Sequence, residues 1–244
     1  ELGLGKYSSL ESKKKETREL WQDHPHKFMH ERHNVNISGD YVYECKNAQN
    51  MYQTRFIEDG KWAQFITIGP VKDVYDYTEW GNNAQRIYEC ITVGEGADSV
   101  KFSYACWKPT VMNVEYSFYI ISSSNIFGCA NIRNKQYCIL NKQYPKEEYE
   151  KLRLKIIQDM DDRPYIDSKG RTWKYGEFFP YDLSLYDYNE AHAMHYFPLS
   201  KEEAVAKGFR WCEQPISQYK ITKKVGELPD DINDVGDNIV NEII

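Results

Sequence analysis

Apolar and polar residues alternate in short runs through the middle of the chain, between Asn34 and Tyr144. These runs are DYVYEC, WAQFITIG, DVYDYTEW, QRIYECITVG, SVKFSYACW, NVEYSFYII, NIFGCANI and KQYCIL. Alternation with period two is typical of strands, and the glycines, asparagines, aspartates, serines and prolines between the runs are typical of turns. The pattern predicts a series of short strands.

Helical patterns flank this stretch. Before it, LESKKKETRELWQD begins with the capping-box spacing of Ser8 and Glu11, and HKFMHERH predicts a second short helix. After it, Pro145 precedes a segment whose apolar residues share one helical face: Tyr149, Leu152, Ile156, Ile157 and Met160. We predict a helical arm over residues 1–33 and an α+β segment over residues 145–244.

The middle of the chain also repeats. One aromatic residue for each predicted strand gives positions 43, 52, 65, 75, 88, 102, 116, 127 and 137, which taken alternately have a period of about 24 residues, as in solenoid coils. Four cysteines follow an aromatic residue two positions earlier, namely Cys45, Cys90, Cys106 and Cys129. Because residues i and i+2 of a strand share a face, we expect these four to be core thiols. The predicted fold is mainly β: a short β-solenoid over residues 34–144, between the helical arm and an α+β cap that covers an open solenoid end.

Composition narrows the class of protein. The 244 residues include 20 Tyr, 10 Phe and 6 Trp, which favours a folded chain over a disordered one. The net charge of −6 argues against polyanion binding over the whole surface. No long apolar run or cofactor fingerprint is present, so we expect no membrane contact and no cofactor. Six cysteines without a CxxC motif favour reduced thiols and a cytoplasmic location.

Two pairs of residues could hold a metal. Cys129 and Cys138 have eight residues between them, wider than the usual spacing of zinc ligands, so core thiols are favoured over a metal site or a disulfide. His192 and His195 are three residues apart and could share one helical face as metal ligands, with Cys212 as a guess for the third. Ordinary surface or packing histidines explain the same pattern.

A basic stretch lies near the end of the predicted solenoid. No acidic residue occurs between Glu115 and Glu147, whereas this interval contains Arg133, Lys135, Lys142 and Lys146, together with Tyr137 and Tyr144. Basic side chains beside aromatic rings suit phosphate contacts and base stacking, so the residues from 131 to 146 could bind RNA or single-stranded DNA. The alternative is a charged outer face with ladders of asparagines.

The sequence contains no nucleophile elbow, P-loop or dinucleotide fingerprint, and we assign no catalytic residue. A carbohydrate-polymer enzyme remains a third possibility through carboxylates on an outer face, namely Asp73, Asp76, Glu89, Asp98 and Glu115. RNA or single-stranded nucleic-acid binding comes second. The favoured hypothesis is a non-enzymatic binding or scaffold protein, with self-association into a homo-oligomer or a protein partner expected from open solenoid ends.

The segment FGCANIRNKQYCILNKQYPKEEYEKL, followed by YGEFFP and YFPLSKEEAVAKGFRW, resembles a group of uncharacterised conserved proteins from small-genome candidate-phylum bacteria. The resemblance implies an aromatic- and cysteine-rich repeated middle and, in most members, zinc ribbons towards the C-terminus. This sequence has no CxxC after Cys212. The resemblance implies no catalytic residues.

Overall fold

A computed structural model of the chain describes Gly3 and residues 5–69, 71–72, 74–75, 77–81, 87–213 and 219–244. The chain divides into two compact units. One runs from Met29 to Cys212, and the other joins the chain up to Phe28 with Glu213–Ile244. The sequence predicts domain boundaries at residues 33 and 144, and these boundaries stay a prediction.

Most of the unit from Met29 to Cys212 consists of short strands. In the described part of the chain they are β1 (Glu31–Arg32), β2 (Val35–Tyr43), β3 (Lys46–Arg55), β4 (Ile57–Glu58), β5 (Lys61–Ile68), β6 (Val71–Lys72), β7 (Tyr77–Gly81), β8 (Ile91–Val93), β9 (Asp98–Lys101), β10 (Tyr104–Trp107), β11 (Met112–Glu115), β12 (Phe118–Ile121), β13 (Ser124–Phe127), β14 (Ala130–Arg133), β15 (Gln136–Ile139), β16 (Lys142–Gln143), β17 (Tyr165–Ile166) and β18 (Thr172–Trp173).

The strands form two parallel sheets that the chain visits in turn. Sheet 1 has the order β1-β2-β3-β5-β7-β8-β10-β12-β14, with β4 paired to β3 and β6 paired to β4. Sheet 2 has the order β9-β11-β13-β15, and β16 adds an antiparallel strand at its edge. Parallel pairing of strands that alternate between two sheets defines a β-solenoid, which confirms the predicted fold class. The solenoid has about eight turns.

The period of the coil differs from the prediction. Met112 lies beside Ser124, and Ser124 lies beside Gln136, so one coil takes twelve residues there. Tyr104 lies beside Phe118, where one coil takes fourteen. The predicted period near 24 is therefore wrong by a factor of about two, because alternate aromatic positions are about two coils apart. The nine positions also occupy different places in the coil, since Tyr52 pairs with Gln64 and Glu115 pairs with Phe127.

Within a coil, the core follows a period of three rather than two. Every third residue between Val42 and Ile66 is buried: Val42, Cys45, Ala48, Met51, Thr54, Ile57, Gly60, Ala63 and Ile66. The residue before each of these has a positive φ, from Tyr41 to Phe65. A left-handed residue at every third position turns the chain, so each three-residue step sends one side chain into the core and leaves two outside.

This backbone is costly for residues other than glycine, because a left-handed residue places Cβ close to the following carbonyl oxygen. Asparagine tolerates the conformation best, and eight of the residues with positive φ in the described chain are asparagines. The asparagines also bond between coils: the Asn113 amide donates to Asn125 Oδ1 at 3.2 Å, and the Asn47 amide donates to Asp59 Oδ1 at 2.9 Å. Neither bond involves residues 131–146, so the asparagine-ladder interpretation of that stretch stays a prediction.

Helix α2 (Lys146–Asp162) follows the last coil, as the sequence predicts. Its Tyr149 is buried against Phe127 and Ile139, which project from successive coils of sheet 2. The helix therefore packs along the side of the solenoid rather than across its end. The edge of sheet 2 is paired instead by β16.

The rest of this unit is a small α+β segment. It contains the β17–β18 hairpin, two short 3-10 helices (Tyr181–Leu183 and Tyr188–Glu190), α3 (His192–Tyr196) and α4 (Lys201–Ala206). Helix α4 begins with a capping box in which Ser200 Oγ accepts from the Glu203 backbone N–H.

The other unit contains α1 (Tyr7–Gln22) and three 3-10 helices: Val225–Glu227, Ile232–Asp234 and Asp237–Asn241. The capping box predicted from Ser8 is wrong, because Lys6 is the N-cap and Ser8 Oγ donates to Asp230 Oδ2 at 2.6 Å. The second short helix predicted over HKFMHERH is also wrong, since β1 begins there at Glu31. The strand forms because Glu31 and Arg32 pair with Val42 and Tyr43 of β2.

Candidate functional site

A row of aromatic rings runs along the solenoid with one ring in each of five successive coils. We call this row the ladder; its members are Trp62, Tyr75, Tyr88, Phe102 and Tyr116. The distances between successive ring centroids are 6.2, 6.0, 5.2 and 4.7 Å. The ladder exists because coils of 13 or 14 residues bring side chains from neighbouring corners together. Tyr75 pairs directly with Tyr88, whereas Tyr88 pairs with Lys101, the residue before Phe102.

The ladder is open at one end and covered at the other. Trp62 is 48% exposed, Tyr75 38% and Tyr88 36%, whereas Phe102 is 2% exposed. Tyr175, from the segment after α2, covers the buried part, with its ring 5.9 Å from those of both Phe102 and Tyr116. We call the three accessible rings, Trp62, Tyr75 and Tyr88, the exposed ladder.

Two clefts border the exposed ladder. The first, of about 250 Å³, is lined by Asn50, Tyr52, Trp62, Ala63, Gln64 and Thr78. Tyr52, Gln64 and Thr78 lie side by side on successive strands of sheet 1. The second cleft, of about 400 Å³, is lined by Tyr75, Ile87, Tyr88, Lys101, Phe102, Tyr175 and Gly176. The first cleft is thus polar and uncharged, whereas the second is mainly apolar with one cationic residue, Lys101.

A third cleft, of about 580 Å³, lies between sheet 2 and α2. Its buried charge is Glu115, which accepts from Arg153 Nε and Nη2 at 2.9 and 2.8 Å. The Tyr175 hydroxyl donates to the same carboxylate at 3.0 Å, and Lys101 Nζ lies 3.8 Å from it. Burial raises the pKa of Tyr175 to about 12, and the Glu115 charge adds to this shift. The Glu115 carboxylate is thus bonded on both oxygens to side chains of this chain.

The other carboxylates considered for polysaccharide cleavage are less informative. Glu89 accepts from the Phe178 backbone N–H at 2.6 Å, and Asp98 accepts from the Ser99 hydroxyl at 3.1 Å. Asp73 and Asp76 lie outside the described residues. The described members of this set are already bonded to protein groups.

The predicted basic face consists of Arg133, Lys135, Lys142 and Lys146, all of which are exposed. Lys146 Nζ lies 3.9 Å from a Glu150 carboxylate oxygen, and Lys142 Nζ lies 5.0 Å from the centre of the Tyr144 ring. The two tyrosines are half-buried against α2, where the Tyr137 ring is 5.7 Å from that of Tyr149. The face is accessible, but its aromatic rings are partly used in packing.

The position of Lys135 differs from that expected of an outer side chain. Ser124 pairs with Gln136, so Lys135 is one coil beyond Ser123. Ser123 is buried, and its hydroxyl accepts from the Lys135 backbone N–H at 3.1 Å. Lys135 therefore stands where an inner residue of the next coil would stand, at the end of the solenoid.

The predicted core thiols Cys45, Cys90, Cys106 and Cys129 are all buried, as is Cys138. Cys45, Cys90 and Cys129 lie at coil corners, and each thiol donates to the carbonyl of the residue two positions earlier. Ser103 and Ser117 occupy the same corner in other coils and form the same bond. Cys106 instead lies within β10, so the aromatic-x-Cys pattern combines two structural positions.

The corner residues also connect the coils. The Cys129 backbone N–H donates to Ser117 Oγ at 2.9 Å, and the Asn141 N–H donates to Cys129 Sγ at 3.3 Å. Burial raises the pKa of Cys90 to about 12 and raises those of Cys45, Cys129 and Cys138. Cys129 and Cys138 are free thiols.

His192 and His195 lie on α3 and border a shallow cleft. Neither belongs to a group of three metal-ligating side chains within the described residues. Cys212, the guessed third ligand, instead lies near Asp187 and Glu190, with ligand atoms within 4.8 Å of one another. Asp187 already pairs with Arg210 at 2.9 Å and forms a capping box with Glu190. These contacts explain why the acidic residues lie together, because they stabilise the turn that contains Asp187 and Glu190.

Sequence reasoning missed the ladder as a site. Tyr75, Tyr88, Phe102 and Tyr116 were among the aromatic positions of the predicted repeat, and their steps of 13 and 14 residues were the signal. Trp62 was absent from that set because Phe65 represented its strand.

No helix in the described part of the chain combines the length and apolar character needed to cross a bilayer. The class that the fold defines is that of β-solenoid repeat proteins. Comparisons with protein-family models, with curated proteins and with solved structures find no match.

Proposed function

We propose that this chain is a non-enzymatic binding protein that holds an extended ligand along the outside of its β-solenoid. The observation that supports this function is the exposed ladder, in which Trp62, Tyr75 and Tyr88 offer one ring per coil. Aromatic rings combine a large apolar surface with a polar edge and dominate many binding surfaces. A solenoid presents such a ring at regular intervals, which suits a ligand made of repeated units.

The carboxylates favour binding over cleavage. Hydrolysis of a glycoside needs one carboxyl group that can donate a proton and a second that can attack or activate water. Glu115 is held by Arg153 and Tyr175, and Glu89 by a backbone N–H of the segment after α2. These bonds fix the two groups in structural roles.

A native gel experiment tests the binding function. The full chain is run with a neutral glucan, with poly(U) RNA and with gelatin, and its retardation is compared with that of the triple variant Trp62→Ala/Tyr75→Ala/Tyr88→Ala. The matched control removes three exposed aromatic rings elsewhere: Tyr119→Ala/Tyr186→Ala/Phe197→Ala. We expect at least one polymer to retard the wild type and the control but not the ladder variant, at unchanged circular dichroism. Equal behaviour of the two variants, or no retardation of the wild type, contradicts the proposal.

RNA or single-stranded nucleic-acid binding through the basic face is the second candidate. It is favoured by Arg133 and Lys135, which are exposed and form no ion pair within the described residues. Binding that rests on phosphate contacts weakens steeply with salt. We therefore expect poly(U) binding at low salt that falls in Arg133→Ala/Lys142→Ala and not in Lys13→Ala/Lys14→Ala on α1; an equal fall in both variants would exclude this face.

A scaffold role with self-association, and a cytoplasmic location, belong to the same proposal. Association is supported by β14, the last strand of sheet 1, beside which no further strand pairs within the described residues. The location is supported by six cysteines that all occur as free thiols. Light scattering over a range of concentrations checks the first point, and a constant monomer mass would contradict it.

A further inference from the structure

The first cleft beside the ladder has a distinctive set of functional groups. Around Trp62 it presents the amides of Asn50 and Gln64 and the hydroxyls of Tyr52 and Thr78. Each amide and hydroxyl can both donate and accept hydrogen bonds. None of the lining residues carries a charge at neutral pH. The cleft therefore combines a flat apolar ring with neutral groups of both hydrogen-bonding types.

The second cleft, beside Tyr75 and Tyr88, differs from the first in its mainly apolar lining. Its one cationic lining residue is Lys101, whose Nζ lies 3.8 Å from Glu115 Oε1. Glu115 also pairs with Arg153, so these three groups together keep one net positive charge. The combination of an exposed ring with uncharged amides and hydroxyls therefore belongs to the first cleft.

We infer that the ligand of the exposed ladder is a neutral polysaccharide built of hexopyranose units, an inference that rests on the proposed binding function. A pyranose ring has a flat face of C–H groups that stacks on an aromatic ring, and a rim of hydroxyls that donate and accept. Trp62 matches the face, while the amides of Asn50 and Gln64 and the hydroxyl of Thr78 match the rim.

The spacing of the coils agrees with this ligand. Neighbouring strands of a sheet are about 4.8 Å apart, and the exposed ring centroids are 6.2 and 6.0 Å apart. Both values are comparable to the length of one pyranose unit in an extended chain. The planes of Trp62 and Tyr75 are inclined by 44° and those of Tyr75 and Tyr88 by 82°. One sugar therefore stacks on Trp62, and the following sugars meet Tyr75 and Tyr88 without parallel stacking.

Charge argues against a nucleic-acid ligand at the same place. Phosphates are bound mainly by Lys and Arg side chains. Near the ladder, Lys61 Nζ lies 6.0 Å from the Trp62 ring centre, and the carboxylates of Glu58 and Asp59 precede it in the chain. The lining of the cleft around Trp62 contains no lysine or arginine.

Affinity electrophoresis tests the ligand class with the full chain. The gels contain hydroxyethyl cellulose, mixed-linkage β-glucan, dextran or poly(U), each at about 50 and about 200 mM salt. We expect at least one neutral glucan to retard the protein equally at both salt concentrations. Trp62→Ala should weaken this binding roughly tenfold, the scale for losing one ring from a stack. Gln64→Ala should weaken it as well, whereas Tyr119→Ala, which removes an exposed ring outside the ladder, should not.

The outcomes separate this inference from the proposed function. Salt-sensitive retardation by poly(U) that depends on Trp62, without retardation by any glucan, overturns the ligand class and leaves ladder binding intact. Glucan retardation that Trp62→Ala and Tyr119→Ala affect equally places the sugar elsewhere and overturns the inference. Absence of retardation by all four polymers overturns the inference, and absence of retardation by gelatin as well overturns the proposed function. Thermal melts of each variant establish that the change acts on binding rather than on folding.

Discussion

At the scale of single residues, the left-handed backbone decides which side chains this solenoid accepts. The residue with positive φ recurs at every third position through most of the coils, and asparagine serves there because its side chain tolerates the conformation. A β-branched side chain at such a position meets the backbone directly. Substitutions at these positions therefore act on stability through conformation rather than through lost contacts.

Asn134 is the clearest position for a test, with a φ of 53° and an exposed side chain. We expect Asn134→Val to lower the free energy of unfolding by about 1–2 kcal/mol, the cost of a left-handed residue with a bulky Cβ. Asn134→Gly should be close to neutral. Urea denaturation measures both, with Arg133→Val as the control next in sequence; similar losses for Arg133→Val and Asn134→Val would contradict the conformational argument.

The buried thiols should be chemically inert in the folded protein. Burial raises the pKa of Cys90 to about 12 and excludes reagent from all five buried cysteines, whereas Cys212 is half-exposed. Because the thiolate is the reactive form, we expect one fast thiol in the native state and six after unfolding. Reaction with Ellman's reagent, with and without urea, measures this. Rapid native labelling of Cys90 or Cys129 would disagree with their corner positions.

At the scale of elements, α2 is fixed to the solenoid by one charged group inside an apolar contact. Glu115 is nearly buried, and Arg153 is its bidentate partner. Removing one partner of such a pair leaves a charge in a poorly solvated place. We expect Arg153→Ala to lower the free energy of unfolding by about 2–4 kcal/mol.

The matched control for Arg153 lies on the same helix. Arg163 pairs with Asp159 at an exposed position, and such pairs contribute about 0.5 kcal/mol or less. Arg163→Ala should therefore have a small effect on the urea midpoint. Equal effects of Arg153→Ala and Arg163→Ala would mean that the Glu115 pair contributes no more than a surface pair.

The elements differ in how far the sequence predicts them. Helix α2 follows from Pro145 and from apolar residues at helical spacing, because a surface helix buries one stripe. The strands were expected from alternation, and strands are present, but their core obeys a three-residue step that the alternation template cannot represent. The clearest signal of that step is the series Val42, Cys45, Ala48 and Met51, with asparagine often just before the inner residue.

At the scale of the whole molecule, a charged residue at the end of the solenoid opposes pairing with a second copy of the chain. Lys135 occupies the position equivalent to buried Ser123 in the preceding coil. Charged residues at inner positions of an edge discourage pairing with another chain. We expect Lys135→Val to increase self-association, measured as mass against concentration by light scattering. Lys142→Val is the control with equal charge change, and an equal increase in both would assign the effect to net charge.

Stability of the solenoid unit should fall at alkaline pH. Burial raises the pKa of Cys90 and of Tyr175 to about 12, and raises those of Tyr116 and Tyr149. The unfolded thiol and phenols lose their protons near pH 9 and pH 10, respectively, so the unfolded state binds fewer protons than the folded state above these values. The contribution is complete below about pH 9 and is lost as the pH rises towards 12.

Urea midpoints at neutral and alkaline pH measure this loss. Tyr175→Phe removes one of the groups, so its stability should decline less steeply with pH than that of the wild type, although it loses the bond to Glu115 at all pH values. A parallel decline of the two proteins would exclude Tyr175 as a contributor.

The candidate site was only partly accessible from sequence. The exposed basic residues and the buried thiols could be named because charge and hydrophobicity are properties of single residues. The ladder could not, because it arises when residues 13 or 14 apart meet across coils, and the coil length depends on a backbone conformation that composition does not reveal. Tyr75 and Tyr88 were therefore counted in separate series.

The three-residue step determines which insertions keep the inner and outer positions of later coils in register. Residues 112, 124 and 136 share one register, so a copied block of twelve residues would restore every inner and outer position after it. An inserted block of three residues would keep the inward-facing positions, but it would shift every later outer residue from one side of the coil to the next. The fourteen-residue step from Tyr104 to Phe118 shows that a coil also accommodates two extra residues while its strands stay paired. A duplicated block of twelve would therefore lengthen the solenoid in the register of residues 112, 124 and 136, whereas another ring on the ladder needs a coil of 13 or 14 residues.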